Sequence, residues 1–121
     1  MKKTVLVIED NKEIRENTIE LLELAGYRVI DVEDGKAGIH AAEKELPDII
    51  LCDIMMPLTD GYEVLENLKG NSSTTNIPFI YLTASAEKKE IQKAMDMGAS
   101  AYICKPFDVN ELIDTVERLL Q

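Results

Sequence analysis

The chain is short of several things that usually declare a function. It has no long hydrophobic run, two cysteines, one histidine, and far fewer basic than acidic residues. No apolar stretch approaches the ~20 residues that span a bilayer. The opening Met1-Lys2-Lys3-Thr4 leads only into Val5–Ile8 before Glu9 interrupts. That is too short for the apolar core of a secretory signal, so a cytoplasmic location and no membrane contact are expected. Cys52 and Cys104 fit no zinc or redox spacing. Each closes an apolar run, where a free thiol acts as a small buried hydrophobe. The single histidine, His40, falls on a helical segment away from every strand end and reads as a surface residue. Thirteen Lys+Arg against 23 Asp+Glu give a net charge of −10. A polyanion is repelled by such a surface, so no nucleic-acid binding is expected of this domain.

What remains is an ordinary globular composition, 45% hydrophobic and 30% charged, in 121 residues. That length suits one domain, residues 1–121, with a core that needs no staples. Short apolar runs recur at Val5–Ile8, Ile49–Cys52, Phe79–Leu82 and Ala101–Cys104, with a weaker one at Tyr27–Val32. Unbroken hydrophobicity over so few residues predicts strands buried on both faces, as in a parallel sheet. Between them lie segments with helical period. Ile14, Leu21, Leu22 and Ala25 share one face, as do Leu112, Ile113, Val116, Leu119 and Leu120. Three more helices are predicted over residues 36–45, 61–69 and 87–97. Gly26, Gly70 and Gly98 each follow a helical stretch and are expected to stop it in a left-handed conformation. Asp108 with Glu111 reads as a capping box for the last helix. Residues 71–76, Asn-Ser-Ser-Thr-Thr-Asn, read as a mobile polar surface loop. The fold class is therefore α/β: five βα units forming one five-stranded parallel sheet with helices on both faces.

Open α/β sheets bind ligands beyond the carboxyl ends of their strands. Glu9 and Asp10 follow the first strand, Asp53 the third, Thr83 ends the fourth, and Lys105-Pro106 follow the fifth. Three carboxylates, a hydroxyl and an ammonium thus converge on one edge. Three adjacent carboxylates repel one another, and Mg²⁺ with the Lys105 ammonium balances them. An Asp carboxylate can be the nucleophile that forms an aspartyl-phosphate. Transfer then requires mainly positioning and charge neutralisation, and Thr83 can hydrogen-bond a phosphoryl oxygen.

These residues also resemble a known family. Val7-Ile8-Glu9-Asp10-Asn11, Pro47-Asp48, Asp53-Ile-Met-Met-Pro57, Asp60-Gly61, Thr83-Ala84, Gly98-Ala99 and Lys105-Pro106-Phe107 are similar, in order and spacing, to the receiver domains of two-component response regulators. The resemblance implies the flavodoxin-like strand order 2-1-3-4-5 already known for receiver proteins. It implies that Asp53 is the phospho-acceptor. Asp10, Asp53 and the Met55 backbone carbonyl would ligate Mg²⁺, with Glu9 acting indirectly or through water. Thr83 and Lys105 would contact the phosphoryl group, and Tyr102 would be the switch aromatic. The donor would be a sensor histidine kinase or phosphotransfer protein. An effector or a second copy would meet the face made by the fourth helix, fifth strand and fifth helix. Such a domain is not an enzyme, although it assists its own phosphorylation and dephosphorylation. Leu58-Thr59 departs from a commoner Gly-Met, and phosphoryl lifetime is not readable from Met55 and Ser85. In that strand order Cys52 and Cys104 lie two strand spacings of about 4.8 Å apart, beyond disulfide reach.

Three rival functions share parts of this pattern. A flavin carrier of this topology needs a phosphate-binding loop where Glu9-Asp10-Asn11-Lys12-Glu13 would repel phosphate. An aspartyl hydrolase typically carries a second acid two residues on, where this chain has Met55. A receiver-like interaction module that is never phosphorylated loses acidic, Thr or Lys positions, and none is missing here.

Overall fold

The computed structural model describes residues 2–54, 56, 59–84 and 87–121. Met55, Leu58 and Ser85, named above, lie outside that set, and so does the Met55 carbonyl assigned to the metal. The elements run β1 (Thr4–Ile8), α1 (Lys12–Leu24), β2 (Arg28–Val32), α2 (Gly35–Glu45), β3 (Ile49–Asp53), α3 (Gly61–Lys69), β4 (Phe79–Thr83), α4 (Lys88–Asp96), β5 (Ala101–Cys104) and α5 (Val109–Leu119). The sheet is parallel throughout, in the order β2-β1-β3-β4-β5. Among the described residues no helix is long and apolar enough to cross a membrane.

Burial of the strands follows their place in the sheet, and for β5 it corrects the two-sided burial expected from its unbroken apolar run, because β5 is an edge. β3 and β4 are buried along their whole length, and β1 from Val5 onward. β2 and β5 are the edges, and Arg28, Asp31 and Tyr102 face solvent from them. Alternate side chains feed two cores. Leu6, Ile8, Ile50, Cys52, Phe79 and Tyr81 join Ala42 of α2, Val64, Leu65 and Leu68 of α3, and Ala94 of α4. Val5, Val7, Ile49, Leu51, Ile80, Leu82 and Ile103 join Leu22 of α1 and Leu112 and Val116 of α5.

Four helices start on side-chain caps. Asn11, Asp34, Asp60 and Asp108 accept the backbone N–H of Ile14, Ala37, Glu63 and Asn110 at 3.0, 2.7, 3.0 and 2.7 Å. Each such cap contributes about 1 kcal/mol. The expected interior of α1 is corrected. Ala25 is exposed beyond the helix end, whereas Thr18 is fully buried and donates its hydroxyl to the Ile14 carbonyl at 2.7 Å.

Two expectations about chain reversals also change. Gly26 and Gly98 adopt positive φ, but Gly70 has φ −80° and continues the right-handed conformation of α3. It is Leu46, at φ 46°, that ends α2 in the left-handed region. Residues 71–76 are not a loose loop. Thr74 is buried and donates to the Leu68 carbonyl at 2.6 Å. Lys69 Nζ donates to the Thr75 carbonyl at 2.8 Å, and Asn71 Nδ2 reaches Glu43 at 2.9 Å. The turn is a plug that uses its hydroxyl to satisfy the carbonyl end of α3. Neither cysteine is in a disulfide; β4 separates them, with Cys52 opposite Tyr81 and Cys104 opposite Thr83. Cys104 is only half-buried.

Candidate functional site

β1, β3, β4 and β5 all end at one edge, and the chain order places an ionisable or hydroxyl group at each end. The β1–β2 ladder extends one residue past β1, because Glu9 N–H donates to the Val32 carbonyl at 3.1 Å. That aims the Glu9 side chain inward, where it is completely buried. Asp10, next along, is exposed. Asp53 closes β3 and is buried, opposite Leu82, so that Thr83 lies one residue further along the neighbouring strand. Thr83 is buried too, and its carbonyl accepts the Lys105 N–H at 2.7 Å, which sets the course of the chain leaving β5.

The side chains meet as the sequence predicts. Carboxylate oxygens of Glu9, Asp10 and Asp53 lie within 4.8 Å of one another. Lys105 Nζ donates to Glu9 Oε1 at 2.6 Å and stands 3.2 Å from Asp53 Oδ2. The ammonium therefore bridges two buried carboxylates. Such charge-assisted contacts are about twice as strong as neutral ones, and the low local dielectric keeps them effective. Glu9 Oε2 also accepts the Asn11 N–H at 3.3 Å. Oxygen donors grouped this closely, with one carboxylate open to solvent, fit a hard divalent cation that retains some of its water. They do not fit a soft metal, since Cys52 directs its thiol to the Asp53 carbonyl at 3.3 Å.

The floor under Asp53 is built by Gly61, of the Asp60-Gly61 motif, and by Tyr81 of β4. Gly61 N–H donates to the Ile54 carbonyl at 2.9 Å, and the buried Tyr81 hydroxyl donates to the Gly61 carbonyl at 2.8 Å. A Cβ at Gly61 would lie 2.6 Å from the Asp53 carbonyl oxygen. Burial pushes the Tyr81 phenol far above its ordinary range, with Cys52, Tyr62 and Asp60 adding to the effect. Tyr81 stays a neutral donor. It stacks edge-on with Phe79 and Tyr62 at centroid distances of 5.0 and 5.7 Å. Tyr62 in turn reaches α4. Its hydroxyl donates to the Glu90 carbonyl at 3.3 Å, and Lys93 Nζ sits 4.1 Å from its ring centroid. Lys93 is thus packed on an aromatic face as well as solvated.

Two predicted residues lie apart from the cluster. Tyr102 points outward from β5, 41% exposed. His40 is exposed on α2. An apolar-walled groove of about 400 Å³ opens beside Lys105, lined by Ile14, Asn17, Ala84, Pro106 and Phe107.

Residues 5–117 match the family described as the response regulator receiver domain. The chain belongs to that family. Among similar proteins, the phosphate regulon transcriptional regulatory protein PhoB of Pseudomonas aeruginosa is 36% identical over 119 residues, covering 98% of this chain and 52% of that protein. The DNA-binding dual master transcriptional regulator RpaA of Synechocystis is 37% identical over 117 residues, covering 97% and 48%. The chain therefore spans about half the length of the curated relatives it matches. Among solved structures, a putative response regulator from Chloroflexus aurantiacus superposes with a TM-score of 0.95 at 29% identity, covering 99% of this chain and 98% of that one. The receiver domain of the sensor histidine kinase PA1611 of Pseudomonas aeruginosa superposes at 0.89 with 31% identity and the same coverage. That structure has a magnesium ion coordinated in its active-site cleft.

The receiver's Arg15 was missed. Its Nη1 donates to the Glu9 carbonyl at 2.9 Å and its Nε lies 3.3 Å from Asp31 Oδ2. The one local clue was an arginine close to the start of a helix, where a cation opposes the helix dipole.

Proposed function

We propose that this receiver accepts a phosphoryl group on Asp53 from a phosphohistidine of a partner sensor histidine kinase or phosphotransfer protein, in a Mg²⁺-dependent reaction. The observation that carries the proposal is the bridge made by Lys105 between Asp53 and Glu9, with Asp10 beside them. Asp10 and Asp53 would hold the ion directly, Glu9 through water, and the Met55 carbonyl would complete the protein ligands. Mg²⁺ supplies positive charge against the phosphoryl oxygens.

The chain's own groups do the rest. An Asp53 carboxylate oxygen attacks phosphorus, an O–P bond forms, and the P–N bond to the donor imidazole breaks, with its electron pair returning to nitrogen. Lys105 already stands at Asp53 and transfers its contact to a phosphoryl oxygen. The Thr83 hydroxyl donates to another. The groove between Ile14 and Phe107 offers the donor an apolar seat next to Lys105. Asp53 is consumed once per phosphorylation, so the domain is a stoichiometric acceptor that assists its own labelling and hydrolysis, not an enzyme. Once Thr83 has turned to the phosphoryl group, Tyr102 swings inward. The change shifts the population of the α4–β5–α5 face, where an effector or a second copy binds.

A small phosphodonor with Mg²⁺ should add one phosphate by intact mass. Asp53→Asn or EDTA should each abolish it. Full labelling of the mutant would refute the acceptor assignment, and full labelling in EDTA the metal dependence.

A further inference from the structure

Every polar group of Glu9 has a partner. Its N–H goes to Val32, its carboxylate takes Lys105 and the Asn11 N–H, and its carbonyl takes Arg15. That carbonyl belongs to the Glu9–Asp10 peptide. Holding its oxygen fixes the peptide plane, and with it the direction in which Asp10 leaves the backbone. Asp10 itself is exposed, so packing does little to orient it.

The guanidinium makes both its contacts at once. Nη1 holds the carbonyl at 2.9 Å while Nε lies 3.3 Å from Asp31 on β2. The Arg15 side chain is only 13% exposed, so the ion pair on its far side is partly shielded. Asp31 sits opposite Val7 in the β1–β2 ladder, so the anchor is part of the sheet. A planar fork can serve two acceptors in this way, and a lysine head group cannot take both positions.

We propose that Arg15 is a positioning residue for the acidic pair: by clamping the Glu9–Asp10 peptide to β2 it sets the divalent-cation affinity of Asp10. The inference rests on the reading that Asp10 and Asp53 hold Mg²⁺. A merely structural Arg15–Asp31 pair would tie α1 to β2 and affect stability alone. Groups that orient a metal ligand typically change metal affinity by about 10–100-fold when lost.

The test is Mg²⁺ affinity without phosphorylation, read from amide resonances of Asp10 and Asn11 during a MgCl₂ titration. Wild type, R15K, R15A and D10A are compared, with the amide spectrum and thermal midpoint confirming the fold. R15K keeps the charge and should weaken Mg²⁺ binding about ten-fold. R15A should weaken it too. By charge alone, removing a cation from beside the Glu9–Asp10 peptide would tighten binding, so the sign separates positioning from Coulomb attraction. R15K folded and binding within about two-fold of wild type would overturn the inference while D10A still loses the ion. D10A binding as wild type does would overturn both this inference and the metal reading beneath it. Should R15A fail to fold, R15K alone decides.

Discussion

Replacing Gly61 by alanine puts a methyl carbon 2.6 Å from the Asp53 carbonyl oxygen, 2.8 Å from the Ile54 Cα and 3.0 Å from Tyr81 Cε1. Carbon pairs attract at about 3.5–4.0 Å, so all three contacts are repulsive. The first two involve backbone, and rotamer changes cannot relieve them. The end of β3 and the start of α3 must separate by several tenths of an ångström. Overpacking of this kind costs about 1–3 kcal/mol. Alanine recovers up to about 1 kcal/mol of helix propensity, less at a first helical position. The net loss is about 1–2 kcal/mol, which lowers the melting temperature of a domain this size by roughly 3–10 °C. The displacement falls on Asp53, so labelling by a small phosphodonor should slow as well. Gly70→Ala is the control. Its φ of −80° suits any residue, and its nearest neighbour is the Glu66 carbonyl at 3.3 Å. Gly→Ala at a compatible position gains about 0.4–1 kcal/mol from the unfolded chain. That gain is common to both variants, so their difference isolates native packing. Urea unfolding followed by circular dichroism gives both stabilities. G61A as stable as G70A, with an unchanged labelling rate, would refute the close-approach argument.

The other predictions concern Cys52 and Thr83. Burial chiefly, with the charges of Asp53, Glu9 and Asp60 adding and Lys105 opposing, pushes the Cys52 thiol well above its ordinary 9.0. The folded protein keeps this proton while the unfolded chain releases it. Stability should therefore fall as pH rises past about 9, by up to about 1.4 kcal/mol per pH unit. Cys52→Ala should remove this share of the slope and leave the part set by buried phenols such as Tyr81, and parallel pH dependences for the two proteins above pH 9 would contradict it. Beryllofluoride, a phosphoryl mimic, should shift amide resonances across Tyr102 and α4 in the wild type. Thr83→Ala should retain the ligand at Asp53 and lose those distant shifts. Their survival in the mutant would eliminate the Thr83–Tyr102 route.

Much of the site was readable because its members stand at fixed offsets from apolar runs. Glu9, Asp53, Thr83 and Lys105 each sit at or just past a strand end, and a parallel sheet sends every such end to the same edge. What local pattern conceals is burial and backbone conformation, which packing decides even where the hydrogen-bond partner is close in the chain. Thr18 and Thr74 are polar by type and buried in fact, because a nearby helix carbonyl takes each hydroxyl. Gly70 follows a helix as Gly26 and Gly98 do. The chain beyond it turns back through Thr74 and Ile77, so Gly70 needs no positive φ. Leu46 ends α2 in a conformation its residue type disfavours, and nothing in its neighbourhood announced that.

The sequence by itself determined the alternation of strand and helix, the two-sided burial of the central strands, and which residue types reach the carboxyl edge. Those properties depend on side-chain period and on short-range chain direction. Only the tertiary structure decided that Glu9 is fully buried and bridged to Asp53 through Lys105, and that Arg15 holds the Glu9–Asp10 peptide from a sheet-edge carboxylate. It also decided that Gly61 lies against the backbone of Asp53. Contacts of that kind depend on the separation of elements to a few tenths of an ångström. That separation is set by how all the side chains pack together, not by any one segment.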